Sequence, residues 1–103
     1  MAERVMRLAA QKPVVIFSRS NCCMCHTMKT LISEHGAYPL VHQLDEDPNG
    51  RELERALLRM GCNPAIPAVF IGGQLAGGAS EVMTLQLSSS LRPWLIRAGA
   101  IWV

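Results

Sequence analysis

The residues best suited to chemistry are clustered: Cys22, Cys23 and Cys25 lie within four positions and are followed by His26. An apolar run at 14–17 precedes them and apolar residues at helical spacing follow, which predicts a strand, a short loop and a helix. Cys22 then lies near a helix N-terminus, where unpaired N–H groups and the helix dipole favour a thiolate. Cys25 lies about one turn later, where it can form a disulfide with Cys22 or resolve a mixed one. The cluster therefore predicts a redox pair with Cys22 as the nucleophile.

A metal site is the alternative use of the same side chains, since Cys22, Cys23, Cys25 and His26 are all possible ligands. Four ligands within five residues cannot easily surround one zinc ion tetrahedrally, and no second ligand pair follows downstream. We therefore predict no metal site. Cys23 is interpreted either as a small half-buried residue or as an alternative disulfide partner, and Cys62 as a free thiol.

Composition limits the class of protein. The 103 residues, half of them apolar and 17% charged, predict one globular domain over 1–103. The net charge is +2 and the ten Lys and Arg residues are scattered, so direct binding of nucleic acid is not expected. The N-terminus lacks a signal-peptide stretch, and no apolar run approaches the ~20 residues that span a bilayer. We therefore expect no membrane contact and a reducing compartment, cytoplasmic and nuclear, in which a C-x-x-C pair is redox-active or metal-binding.

The elements that must position the cysteines follow from periodicity and turn residues. Two β-α units followed by a hairpin predict a four-stranded mixed sheet with helices on both faces. The turn is predicted at Gly72-Gly73, and Ser80 is predicted to cap the next helix. Strands are predicted at 14–17, 40–44, 68–71 and 74–76. Five helices are predicted: the first at 2–11, the second from the cysteines to about 35, a third that ends at 60, a fourth that begins after 80 and a fifth at 91–98.

Three motifs in this order resemble the glutaredoxin family over nearly the whole chain. They are the C-x-x-C after a strand, Ile66-Pro67 before a strand, and Gly77-Gly78 before a helix. The Cys-Cys-Met-Cys sequence and the end at 100–103 resemble the land-plant CC-type subgroup. The resemblance implies a thioredoxin-like fold and a glutathione-dependent thiol–disulfide oxidoreductase. Its expected substrates are glutathione mixed disulfides and, as a further activity, protein disulfides.

The same resemblance implies residues that bind glutathione. Lys12 matches the family's basic residue, which pairs with a glutathione carboxylate or lowers the pKa of Cys22. Ile66 and Pro67 match a cis-proline turn that pairs with an extended peptide through its backbone. The alternative interpretations are a solvated lysine at Lys12 and a trans-proline loop.

The glycine motif implies the other end of the ligand site. Gly78 lets the backbone approach a ligand, and the N–H groups of Ala79 and Ser80 are expected to bind the γ-glutamyl carboxylate. The alternative is a simple turn. Three positions depart from the family pattern: Ala79, which offers no side-chain donor and has the negative charge of Glu81 nearby, Glu54 and Ala65. These three departures predict weaker binding of glutathione.

The apolar tail carries a second functional hypothesis. Ile101, Trp102 and Val103 either fold back on the domain or bind a partner. The resemblance implies a basic-leucine-zipper transcription factor of the TGA class as that partner, and hence a redox-coupled binding regulator with little turnover as the alternative function. A glutathione-ligated iron–sulfur cluster bridging Cys22 of two copies is a further alternative, which we expect less than glutathione acting as reductant alone.

Overall fold

The computed structural model describes residues 2–101. Within that span the chain forms five α-helices, four β-strands and one 3-10 turn at Leu44–Glu46. The helices are α1 (Ala2–Ala9), α2 (Cys23–Glu34), α3 (Gly50–Arg59), α4 (Ala79–Leu87) and α5 (Leu91–Arg97). The strands are β1 (Val14–Ser18), β2 (Leu40–Gln43), β3 (Ala68–Ile71) and β4 (Gln74–Gly77). Among these helices, none combines the length and the apolar character needed to cross a bilayer.

The strands form one mixed sheet in the order β2-β1-β3-β4. β1 runs parallel to β2 and antiparallel to β3, and β4 runs antiparallel to β3. Every residue of β1 is buried, as expected for a central apolar strand covered on both faces. The predicted four-stranded mixed sheet with helices on both faces is confirmed.

The core consists of two apolar clusters, one on each face of the sheet, because successive strand residues point to opposite faces. The cluster beneath α1 and α3 includes Val5, Ala9, Val15, Phe17, Leu53, Leu57 and Phe70. The cluster beneath α2, α4 and α5 includes Val14, Ile16, Met28, Ile32, Val69, Val82, Leu91 and Leu95. Each of the large side chains contributes about 1.5–3 kcal/mol by leaving water, so both faces of β1 are held rigidly below the cysteine loop.

The predicted turn of the hairpin is correct, whereas the predicted N-cap of the helix that follows the hairpin is not. Gly72 and Gly73 have φ values of 61° and 80°, so the predicted glycine turn between β3 and β4 is confirmed. The prediction that Ser80 caps α4 is wrong, because the helix begins at Ala79 and Gly78 is its N-cap. The carboxylate of Glu81 accepts the Gly78 N–H at 2.7 Å. Glu81 therefore caps the helix from within its first turn.

Candidate active site

The strand directions bring the three sequence motifs to one edge of the sheet. Phe17 at the end of β1 pairs with Ala68 at the start of β3, so the cysteine loop and Pro67 meet there. Gly77 ends β4 at the same edge. A Cβ added to Gly78 would lie 3.3 Å from the Pro67 carbonyl oxygen, which places the glycine and proline motifs in contact. The Ile66–Pro67 peptide bond is cis, as the sequence analysis predicted.

Cys22 is the N-cap residue of α2, in an extended backbone conformation with φ −94° and ψ 110°. Its sulfur accepts a hydrogen bond from the Cys25 N–H at 3.2 Å. The side chain is only half-buried, so an incoming disulfide can reach the sulfur. The sulfur therefore has the helix-start position, the N–H donor and the access that a nucleophilic thiolate requires.

Cys25 has the opposite environment on the same helix. It is 5% exposed and forms part of the buried interior. Burial, then its hydrogen bond and charge interaction with Cys22, raises the pKa of Cys25 to about 12. Cys25 is therefore a protonated thiol at neutral pH, held beside the Cys22 sulfur.

The loop that carries Cys22 is fixed by polar contacts to the residues that follow β2. The Ser20 N–H donates to the Asp45 carboxylate at 3.2 Å. The Ser20 hydroxyl lies 2.8 Å from the side-chain amide of Gln43. Hydrogen bonding from Ser20 lowers the pKa of Asp45. These contacts hold the cysteine loop, with the half-buried Cys22, at the end of the sheet.

Two cavities open beside the cysteines and share Arg19 in their walls. The smaller, about 150 Å³, is lined by Cys22 and Cys25 together with His26 and Lys29. The larger, about 530 Å³, extends from Arg19 and Asn21 towards α3. His26 is exposed, in agreement with the interpretation that it faces solvent.

Lys12 does not lie at this site, and its predicted role is wrong. It is exposed and precedes β1, whereas Cys22 follows that strand. The Gly72 N–H donates to the Pro13 carbonyl at 2.7 Å, so Lys12 lies at the hairpin-turn end of the sheet. Five strand residues at about 3.3 Å each separate the two ends by roughly 16 Å, which is too far for a contact with a ligand at Cys22.

Arg19 is the basic residue that the sequence analysis missed. It lies three residues before Cys22, directly after β1. The guanidinium of Arg19 forms an ion pair with the Glu54 carboxylate of α3 at 2.7 Å. Its place after an apolar strand and before the C-x-x-C was a sufficient signal, because the carboxyl end of β1 is where the cysteines must lie.

The start of α4 forms the other side of the site. The first N–H groups of a helix, here those of Ala79 and Ser80, have no intrahelical acceptor. Glu81 accepts the Gly78 N–H at 2.7 Å and the Ser80 hydroxyl at 2.6 Å. Hydrogen bonding from Ser80, then from the Gly78 backbone, lowers the pKa of Glu81. Only glycine fits at Gly77, which has φ +123° and whose added Cβ would lie 2.5 Å from the Glu81 Cβ.

The two remaining cysteines differ in access. Cys62 is a buried free thiol whose sulfur contacts the Pro64 carbonyl at 3.4 Å, in agreement with the prediction of a free thiol there. Burial, then the charge of Glu81, raises the pKa of Cys62. Cys23 is exposed rather than half-buried, because it is the first residue of α2 and points away from the sheet.

The site residues do not fit a metal or cluster within one copy of the chain. In residues 2–101, no group of three or more His, Cys, Asp or Glu side chains is arranged to hold a metal ion. Iron–sulfur clusters take four thiolate ligands, whereas this site offers two accessible thiols, Cys22 and the exposed Cys23, beside a buried, protonated Cys25.

The apolar tail is only partly described. Ile101 is 9% exposed and packs in the cluster beneath α2, α4 and α5. Trp102 and Val103, the other two predicted partner contacts, lie outside the described residues. The structure thus places Ile101 with the core, as in the alternative in which the tail folds back on the domain.

Comparison with known proteins gives a family match over part of the chain and relatives that cover nearly all of it. The family model described as glutaredoxin matches residues 14–76. The chain is 57% identical over 101 residues to monothiol glutaredoxin-S6 of Arabidopsis thaliana, covering 98% of this chain and 99% of that protein. It is 59% identical over 102 residues to glutaredoxin-C1 of Oryza sativa subsp. japonica, with the same coverage.

Solved structures agree with the sequence matches. The crystal structure of a buckwheat glutaredoxin–glutathione complex superposes with a TM-score of 0.92 at 33% identity, covering 98% of this chain and 92% of that one. The holo form of glutaredoxin C1 from Populus tremula x tremuloides gives a TM-score of 0.89 at 35% identity, over 97% and 90% of the two chains. The predicted thioredoxin-like fold is confirmed.

Proposed function

Because the chain belongs to the glutaredoxin family of glutathione-dependent thiol–disulfide oxidoreductases, we propose that it reduces mixed disulfides between proteins and glutathione, with Cys22 as the attacking sulfur. The observation that carries this proposal is the asymmetry of the cysteine pair. Cys22 is half-buried at the start of α2 and accepts the Cys25 N–H at 3.2 Å. Cys25 is buried, with its pKa raised to about 12.

The reaction follows from that asymmetry in two exchanges. The Cys22 thiolate attacks the glutathionyl sulfur of the mixed disulfide, the substrate S–S bond breaks, and the protein thiolate leaves and takes a proton. This forms a disulfide between Cys22 and glutathione. The thiolate of a second glutathione attacks the same glutathionyl sulfur, releasing oxidised glutathione and restoring the Cys22 thiolate.

The edge of the sheet has the right length for the tripeptide. The ends of β4, β3 and β1 follow one another along it, and neighbouring strands are about 4.8 Å apart. The start of α4 and Arg19 are thus separated by about two strand spacings, roughly 10 Å, and an extended tripeptide spans about the same distance. Glutathione lying across this edge has its γ-glutamyl carboxylate at the N–H groups of Ala79 and Ser80, its backbone beside Ile66 and Pro67, and its glycyl carboxylate towards Arg19. The likeness to a buckwheat glutaredoxin–glutathione complex supports glutathione as the ligand.

Cys22→Ser tests the proposal directly. The serine hydroxyl does not form the required thiolate, so we expect reduction of a glutathionylated peptide, coupled to glutathione reductase and NADPH, to fall at least a hundredfold. Cys23→Ser is the matched control, since it makes the same substitution at an adjacent exposed residue and should retain near-normal turnover. Activity that survives in Cys22→Ser would assign the nucleophile to another cysteine.

As a second function we propose binding to a basic-leucine-zipper transcription factor of the TGA class through Trp102 and Val103, the residues that follow the core-packed Ile101. The support is the apolar character of Trp102 and Val103, together with the resemblance of this end to CC-type glutaredoxins. We further propose a cytoplasmic and nuclear location, where glutathione keeps thiols reduced. Imaging of a fluorescent fusion in plant cells tests that location.

A further inference from the structure

The one basic side chain that the fold places directly after β1, next to the cysteine loop, is already bound by an acid of the same chain. The Arg19 guanidinium lies 2.7 Å from the Glu54 carboxylate, and the two side chains are 44% and 28% exposed. Arg19 borders both cavities beside Cys22. A ligand carboxylate that approaches Arg19 therefore meets a guanidinium whose charge is balanced by Glu54.

Further negative charge surrounds the same guanidinium. Asp45 follows β2, the neighbour of β1, and the Arg19 charge contributes to lowering the pKa of Asp45. Asp45, Asp47 and Glu52 line the larger cavity with Arg19 and Arg51. These three carboxylates outnumber the two guanidinium groups, and Glu54 adds a fourth carboxylate at Arg19, so the Arg19 end of the groove disfavours an incoming anion.

We propose that Glu54 is a specificity-determining residue that competes with the glycyl carboxylate of glutathione for Arg19. This inference rests on the proposed function and concerns how strongly the far end of the ligand is recognised. Glutathione gains an ion pair at Arg19 only by displacing Glu54, so its glycyl carboxylate adds little to recognition. The chain then selects its substrates mainly at the γ-glutamyl end, at Pro67 and at the sulfur.

Two substrates that differ only at the glycyl carboxylate test this proposal. One is a peptide disulfide-bonded to glutathione; the other is the same peptide bonded to the glycine monoethyl ester of glutathione. The measured quantity is the kcat/KM for the first divided by the kcat/KM for the second, with glutathione as reductant in both. Because the γ-glutamyl ends are identical, any effect of Glu81 cancels in this ratio.

The wild-type ratio should lie close to one. In Glu54→Gln the freed guanidinium should favour the carboxylate, and the ratio should rise about two- to fivefold, the range expected for an exposed ion pair. In the double variant Arg19→Gln with Glu54→Gln it should return to one. Glu34→Gln, at the distant end of α2, removes the same charge and should leave the ratio unchanged. Melting temperatures of the wild type and the three variants check that each protein is folded.

An unchanged ratio in Glu54→Gln, or a rise that persists without Arg19, overturns the proposal. The same preference is also measured without turnover. The protein is equilibrated with oxidised glutathione or with oxidised glutathione esterified at both glycines, and mass spectrometry of the intact protein gives the fraction of Cys22 bonded to each. Absence of turnover in the wild type overturns the proposed function, while a shift of this equilibrium ratio in Glu54→Gln still supports the role of Glu54.

Discussion

Cys22 and Cys25 are three residues apart, and their environments differ more than their separation implies. About one turn of helix separates the two sulfurs. The Cys22 sulfur is accessible and accepts an N–H, whereas the Cys25 sulfur is buried and has its pKa raised to about 12. A thiol with that pKa does not start an exchange at neutral pH, but it becomes a good second nucleophile once a disulfide forms beside it and its proton is removed. The geometry therefore favours a resolving role for Cys25.

Cys25→Ser should preserve deglutathionylation largely intact and slow the reduction of protein disulfides at least tenfold. Attack by Cys22 on a glutathionyl sulfur needs one enzyme thiol, whereas release from a protein mixed disulfide can use the second. Parallel assays of a glutathionylated peptide and of a disulfide-bonded protein measure the two activities. Equal loss of both would show that Cys25 is required before resolution.

The positions of single residues were predicted correctly where the local sequence decides them and wrongly where the direction of the chain decides them. The helix-start position of Cys22 follows from an apolar run and a helical repeat alone. Lys12 is predicted from its match to the family's basic residue, but it precedes β1 whereas Cys22 follows it, and a strand places its two ends far apart. The ion pair between Arg19 and Glu54 joins residues 35 positions apart and requires the fold to bring α3 beside the cysteine loop.

At the scale of elements, the segment between β2 and α3 is organised by one carboxylate. Asp47 accepts the Asn49 N–H at 2.8 Å and lies 2.7 Å from His42 Nε2, and its side chain is 6% exposed. The hydrogen bond from Asn49, then that from His42, lowers the pKa of Asp47. Asp47 therefore ties the end of β2 to the start of α3, the helix that carries Glu54.

Asp47→Asn should lower the free energy of unfolding at pH 7 by about 1–3 kcal/mol, the usual worth of hydrogen bonds to a charged group. Because the folded pKa lies below the unfolded one, this stabilisation is complete above the unfolded value near 4 and is lost as the pH falls through the folded value. Urea unfolding of wild type and variant between pH 5 and pH 3 measures the difference. Glu34→Gln, an exposed acid on α2, serves as the charge control. A difference that is the same at pH 5 and pH 3 would rule out the charge as its source.

Elements were predicted well where glycine or proline marks their limits. The hairpin at Gly72-Gly73 and the helix end before Gly36, which has φ +89°, follow from local residue preferences. The N-cap of α4 was predicted two residues too late, at Ser80 instead of Gly78. A serine before an apolar helix is a common cap, but here the longer side chain of Glu81 reaches back to Gly78, and residue preference alone cannot rank the two.

At the scale of the whole molecule, the tail has two separate roles: Ile101 packs in the core, and the residues at 102–103 are the proposed partner contacts. Ile101 is buried with Leu91 and Leu95 beneath α5, so a truncation that removes it combines loss of packing with loss of any partner contact. Separate changes are needed to distinguish the two effects. Because Ile101 is only 9% exposed, a substitution at Ile101 tests the contribution of the tail to core packing.

Ile101→Ala should lower the free energy of unfolding by about 2 kcal/mol, the low end for a buried aliphatic truncation, and leave deglutathionylation below the melting temperature unchanged. Deleting 102–103 retains Ile101 and should weaken binding to a TGA-class factor while preserving catalysis. Thermal melting, the coupled reductase assay and a pull-down with purified factor measure the three properties. If deleting 102–103 lowers the melting temperature strongly and abolishes activity and binding together, the partner-binding assignment is wrong.

The polarity of the sheet also gives the molecule a convenient point of attachment. All the groups proposed for catalysis lie at the edge where β1 and β4 end, whereas the Gly72-Gly73 turn lies at the opposite edge, and a Cβ on Gly73 would meet no atom within 4 Å. An affinity tag or fluorescent reporter inserted at this turn would be about one strand length, roughly 16 Å, from Cys22. Protein immobilised through that turn would present its reactive edge to solution in a single orientation, which is the arrangement a surface-based redox sensor needs.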